Sequence, residues 1–471
     1  MGRAKAIAEA PLTLARWLLL AAIVLAAWLF GATRPWTVLV MTWWLLSTAL
    51  VFTIGLLARR RWPRVRWFIA LPSLFLLAQG WFMTWNARCF WSEPAQVFTD
   101  VEQPLPGWPG VVDCSLVFPW MLRTTALLTA LWIASDMSAN RVWRDRLWAT
   151  IGATGVSIMA LGLAQRFSGA TSIFWDTYRY TGEWFFAVYR YHANAGAYIN
   201  LVLPMITGLA ICSFLRSGSE KSRVFWTLGA LTTAACGFVN VSRAANVITA
   251  CLAICICLWI VSLRLHAASS RRLLNGALLG ALAVGVMVFL AVSFDIKGAQ
   301  ARWEKTKLEA LLNDGRPEVY EIMVNGTLPE AGLWGFGQGT FEPVFNTARR
   351  ALQHPLVGRW DPAHSDALQT IQDWGYAGSA AWAWLLLAGL AVATSGSLRR
   401  GSPADESRVL SSAGALALAG VMLHACVDFP LQILSLQLNT LVILGLVAGL
   451  PPRFATKRET EAGHGSRPEG G

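Results

Sequence analysis

The chain has 471 residues, 55% of them hydrophobic and 14% charged, with a formal net charge of +12. That balance excludes an ordinary soluble globule, because apolar runs of about twenty residues recur and each can cross a hydrocarbon core roughly 30 Å thick. The positive charge falls in short clusters between those runs, which points to membrane topology rather than to nucleic acid.

A short basic lead over 1–16 precedes an apolar run at 17–31. No small-residue cleavage site follows it and another span comes at once, which predicts an uncleaved first span. Further spans are predicted near 36–58, 67–85, 117–136, 147–166, 194–215, 224–241, 244–263, 273–294, 379–396, 410–427 and 432–450. The fold class is therefore an all-α polytopic membrane protein of about 12 transmembrane helices, since backbone polar groups find no partners in lipid. Five stretches follow: helices over 1–166 with a polar loop at 86–118, helices over 167–294, a long polar loop at 295–378, helices over 379–450, and a polar tail at 451–471 that reads as disordered. The clusters RRRWPRVR (59–66), NRVWRDR (140–146), RSGSEKSR (216–223), Arg271–Arg272 and Arg399–Arg400 lie on alternate connections. The positive-inside rule then puts both termini in the cytoplasm and the 295–378 loop outside, as a folded helical cap.

Six of the eight cysteines (Cys212, Cys236, Cys251, Cys255, Cys257 and Cys426) lie in apolar runs and read as packing residues. Cys89 and Cys114 flank the Pro-rich polar loop, where a disulfide and a pair of thiols are both open.

The candidate chemistry lies at the predicted outer ends. In DPAHSDALQTIQDWGYAG (361–378), Asp361 and Pro362 predict a helix N-cap and first helical residue, and Gly375 predicts its stop. His364 would then sit in the first turn, where the helix dipole keeps the ring neutral and able to accept a proton. The alternative is a loop histidine bonded to its own backbone. Arg316, before Pro317, predicts an extended residue capping a helix through Met323, with its guanidinium beside free N–H groups suited to an oxyanion. It reads equally as a surface arginine paired with Glu318 or Glu321. Arg243, in VSRAAN, is either a snorkelling interfacial arginine or a second anion ligand. In YRYHANAGAYINLVLP (189–204), Arg190, His192 and Asn194 either frame an outer pocket or pack the start of a span. His424 and Asp428 read as a structural pair. Gly335, Gly337 and Gly339 predict a tight turn that sets Phe341 on apolar surface. Asp-x-Asp, P-loop and HExxH motifs are missing, so neither a metal nor a cofactor is predicted.

HSDALQTIQDWGYAG fits the pattern His-[Asn/Ser/Gln], nine residues, Gly, two residues, [Gly/Thr/Tyr] through His364, Ser365, Gly375 and Gly378. With YHANAGAYINLVLP, VSRAAN, GRPEVYEIM, LWGFGQGTF and HACVDFPLQ in the same order, the chain from about 167 to 450 resembles the bacterial O-antigen ligase family. That group also contains O-antigen polymerases and protein O-oligosaccharyltransferases. The resemblance implies a bundle similar to C-type glycosyltransferases, in the bacterial inner membrane with the large loop periplasmic. It implies transfer of a glycan from undecaprenyl diphosphate to an acceptor hydroxyl, without metal or cofactor and with inversion. The acceptor would be lipid A–core in a ligase, or a second lipid-linked glycan in a polymerase. By carry-over His364 would activate the acceptor, Arg243 and Arg316 would hold the diphosphate, and Tyr320 would join Arg190, His192 and Asn194 around the pocket. A lipid-linked glycan flippase is the rival, but a transporter should carry midplane charges and two related halves, which this sequence does not show.

Overall fold

A computed structural model describes residues 2–177, 181, 184–216, 219–265, 315–356, 358, 360–398 and 405–451. The predicted span at 273–294, most of the tail and residues 295–314 of the long loop lie outside the described residues. Among the described residues nine helices are long and apolar enough to cross a membrane. They belong to α1 (Gly2–Trp28), α2 (Pro35–Ala58), α3 (Trp67–Trp85), α4 (Cys114–Ser138), α5 (Arg141–Phe167), α6 (His192–Leu215), α8 (Arg243–Leu265), α12 (Asp366–Ser397) and α13 (Glu406–Val427). The predicted 224–241 span is helix α7 (Glu220–Val239), which is not among those nine. The predicted 432–450 span is α14 (Leu434–Ala448), whose 15 residues rise only about 22 Å, short of the hydrocarbon thickness. A turn at Pro430–Gln432 takes up the difference, and α14 is buried along its length inside the bundle.

Sequence-local signals set the helix starts. Asp113 caps α4 by accepting from the Ser115 and Leu116 amides, and Asn140 caps α5 through Val142 and Trp143. Pro35 opens α2 at a position where its missing N–H costs nothing. The 86–118 loop holds an antiparallel hairpin, β1 (Cys89–Ser92) with β2 (Val97–Asp100), a small β element the all-α reading did not anticipate.

Opposite ends of the bundle differ in chemistry. At one end Arg61 meets Asp136 (2.6 Å), Arg59 meets Glu9 (3.3 Å), and Arg216 bridges Glu406 and Asp145 (2.5 and 2.9 Å). At the other end a cap covers the helix termini. It is built from α9 (Arg316–Ile322), a π turn at Met323–Thr327, α10 (Leu328–Ala331) and α11 (Phe341–Ala351). Its small core holds Val319, Ile322, Met323, Phe341 and Phe345, with the two phenylalanine rings stacked at 5.2 Å. Each fully buried side chain of this size contributes about 1.5–3 kcal/mol. The tight turn expected to place Phe341 on apolar surface does so.

Candidate active site

The cap is tied to the bundle at one break in α12. Gly375 adopts φ 64°, ψ −174°, so the helix interrupts its ladder there without ending. The sequence had placed the end of the helix at this residue; instead the chain resumes and runs on into the membrane-spanning part. A break orphans carbonyls above it and amides below it. Here the Gln372 and Asp373 carbonyls accept from Phe336 and Gly337 (both 2.9 Å), and Gln79 donates to Trp374 O (2.8 Å). Below the break, Tyr376 and Ala377 donate to Gly332 O and Leu333 O (both 3.0 Å). The backbones approach so closely that a Cβ on Gly375 would lie 2.4 Å from Leu333. The glycine turn at 335–339 therefore serves as a backbone clamp on α12.

At the other end of the same helical segment lies His364. It sits before α12 with φ 54°, and Ser365, rather than Asp361, is the N-cap, receiving the Leu368 amide. The helix thus begins four residues later than the expected cap pair would have it, and His364 stands on the connecting loop. Its Nδ1 lies 3.2 Å from Asp428 Oδ1. A carboxylate only accepts, so Nδ1 carries the proton, and in the neutral form of the ring the lone pair is on Nε2. Tyr320 fixes the backbone by donating to His364 O (2.8 Å). The rings of Trp360, Phe429 and Tyr191 surround the imidazole edge-on at 5.7, 4.9 and 6.2 Å.

Arg316 converges on the same carboxylate, with Nη2 3.7 Å from Asp428 Oδ2. It also donates to Val427 O (3.0 Å) and to the Tyr191 hydroxyl (3.3 Å), which in turn donates to Asp428 Oδ2 (3.0 Å). Gly315, in the left-handed region at φ 73°, is the N-cap of α9, so Arg316 is already helical and not the extended cap expected. A glycine can take that conformation without penalty, which moves the cap one residue upstream. Burial alone would raise the Asp428 carboxyl; the His364 hydrogen bond and the Arg316 charge outweigh it and hold the group below the usual carboxylate range.

Other predicted site residues stand around this cluster. Arg243 opens α8, partly buried, and among the described residues has no hydrogen-bond or ion-pair partner. The turn before it reaches α6, where Asn240 donates to His192 O (3.0 Å). His192 is the first residue of α6, and its ring lies 4.9 Å from that of Tyr191. Asn194 is buried and its backbone N–H donates to Tyr191 O (3.1 Å), while Arg190 is exposed. Cys89 and Cys114 are unbonded thiols: the Cys89 Sγ donates to Asp100 Oδ1 (3.3 Å), and burial with that carboxylate pushes its pKa up to about 11.

Sequence reasoning missed Asp428 and Tyr191. Asp428 had been assigned to His424, one helical turn away, but His424 is fully buried and neither of its ring nitrogens has a hydrogen-bond partner among the described residues. Asp428 instead leaves the end of α13 and turns to His364, a partner 64 residues distant that no local spacing could reveal. Tyr191 stood between two residues that were named. Its position immediately before α6 was the available signal.

Fold and site together define a multi-pass helical membrane protein with an acid–imidazole–guanidinium cluster under a helical cap. Residues 228–383 match the family model described as O-Antigen ligase. Its members are glycosyltransferase-like enzymes. The matched segment contains Arg243, Arg316, Tyr320 and His364, while Tyr191 and Asp428 lie outside it on either side. No curated protein matches the chain.

Proposed function

We propose that the protein transfers a glycan from undecaprenyl diphosphate to an acceptor hydroxyl at the periplasmic face, as an O-antigen ligase whose acceptor is lipid A–core. The observation that carries this reading is the shared Asp428 carboxylate, which brings the His364 imidazole and the Arg316 guanidinium to one place. In the reaction, His364 Nε2 takes the acceptor's proton while that oxygen attacks the anomeric carbon of the donor sugar. The bond from that carbon to the diphosphate breaks, and its electron pair leaves with the diphosphate. A single displacement of this kind inverts the anomeric centre. Asp428 holds the imidazole in the reactive tautomer and offsets the positive charge it gains, the role a carboxylate plays behind a histidine base. Arg316, with Arg243 as the second anion ligand, stabilises charge on the departing diphosphate. Removing one such donor typically costs about 10²–10³ in rate.

The acceptor is tested in cells. Without the protein, a ligase reading predicts that full-length polymer accumulates on undecaprenyl diphosphate while lipid A–core stays unsubstituted. Accumulation of single repeat units instead would assign the protein to chain polymerisation, the alternative reaction on the same donor.

A further inference from the structure

The loop between α3 and α4 takes no part in the chemistry above, and one turn of it is built unlike a loop that faces water. The segment QPLPGWPG (103–110) carries no charged residue. Leu105 is 38% and Trp108 61% exposed, and Pro106 and Gly107 between them are exposed as well. A Cβ at Gly107 (φ 80°) would meet nothing within 4 Å among the described residues, which places this glycine at the open tip.

The backbone beside these apolar side chains finds its partners inside the protein. Asn86, fully buried where α3 ends, shares its Nδ2 among the Leu105, Trp108 and Pro109 carbonyls (3.1, 3.2 and 3.1 Å). Its Oδ1 accepts the Leu105 amide (2.9 Å), and the Trp108 amide donates to Leu105 O (3.2 Å). Pro104, Pro106 and Pro109 have no N–H to satisfy. Water would solvate such groups without help; in lipid each has to be paired within the chain.

The turn also continues a lipid-facing stripe. Trp67, Leu71, Leu74, Ala78 and Trp85 fall at helical spacing on one face of α3, and all are exposed. Phe82 lies on the same face, and its ring centroid is 6.1 Å from those of both Trp85 and Trp108. Phe82 belongs to the last turn of α3, so Trp108 folds back beside the span instead of away from it. An indole at the end of an apolar stripe is how tryptophan marks a membrane–water boundary, with its flat body in lipid and its N–H at the wet edge. The rest of the loop holds the cap: Phe98 of β2 packs against the cluster containing Phe336 and Val344, the Val112 amide donates to Phe336 O (2.9 Å), and Arg350 donates to Gln96 O (3.0 Å).

We propose that the 103–110 turn inserts into the bilayer on the cap side, with Leu105 and Trp108 at the boundary between headgroups and acyl chains. It is an interfacial anchor for the loop that grips the cap. Lipid is the occupant because the surface runs on without a break from the lipid-facing side of α3.

The test uses the full chain in phosphatidylcholine nanodiscs. A fluorescent amino acid with a naphthyl side chain replaces Trp108 or, in a separate protein, Leu105; a third protein carries it at Asn325, on the exposed π turn of the cap, as the aqueous reference. A nitroxide on an early acyl carbon of the lipid should quench both loop positions about two-fold or more and iodide should barely touch them, as for residues held roughly 5–10 Å into the boundary. Position 325 should show the reverse. Iodide quenching of both loop positions to the extent seen at 325 would overturn the proposal. Protection from both quenchers would overturn it too, since protein would then cover the turn. The Leu105 probe leaves Trp108 in place, so the question is decided even if replacing the indole disturbs the fold.

Discussion

The Asp428 carboxylate receives four groups: the His364 ring, the Arg316 guanidinium, the Tyr191 hydroxyl and the Phe429 amide (3.0 Å). A buried carboxylate so engaged does two jobs, one in stability and one in chemistry. Because its folded pKa is depressed, its contribution to stability is complete above the unfolded carboxylate value, about 3.9, and fades as pH falls through the lower folded one. Thermal unfolding of wild type and Asp428→Asn should therefore differ by a constant amount at pH 5–7, and the gap should close on acidification below about 4. A gap that widens on acidification would contradict the assignment. In chemistry, an asparagine can present its amide to Nδ1 and trap the wrong tautomer, so Asp428→Asn should slow transfer about 10- to 100-fold, the worth of a hydrogen bond to a charged group. Little change in KM is expected, which steady-state kinetics with varied acceptor would check.

At the scale of elements, the decisive feature is a helix that breaks in order to be gripped. The upper turns of α12 and its membrane-spanning part are joined through Gly375, and the four amide–carbonyl pairs between α12 and the 332–337 loop are available only because the break exposes them. Gly375→Ala would add backbone strain of about 1–3 kcal/mol, and its Cβ would meet the Leu333 backbone. Limited proteolysis should then cut within 315–365 while the spans stay intact, with transfer falling at least ten-fold. An alanine variant as resistant as wild type would show that the clamp is not tight. The sequence reading located this glycine and the histidine eleven residues before it, yet described the wrong local geometry at both. Propensity put a cap at Asp361 and a stop at Gly375, whereas Ser365 caps α12 at Asp366 and tertiary hydrogen bonds from the 332–337 loop carry it past the glycine. Arg316 shows the same limit: its importance was legible and its partners were not, since Asp428 and Val427 come from another helix end.

Across the whole molecule, hydropathy alone placed most of the long helices, because a lipid-facing helix must be apolar over its full length. At α14, expected over 432–450, the helix runs Leu434–Ala448 and its apolar residues pack inside the bundle. The ion pairs among Arg59, Arg61, Arg216 and their acidic partners gather at the end opposite the cap. With the predicted orientation, Asn325→Cys, on the exposed π turn, should react with a membrane-impermeant maleimide from the periplasmic side above the wild-type background. Reaction only after the inner membrane is breached would reverse the topology. The central claim is that one imidazole at the bundle end drives glycan transfer, and reconstitution tests it most directly. Purified protein given undecaprenyl diphosphate glycan and lipid A–core should form the linked product, and folded His364→Ala should be slower by about 10²–10⁴-fold. Wild-type rates in that variant would contradict the account.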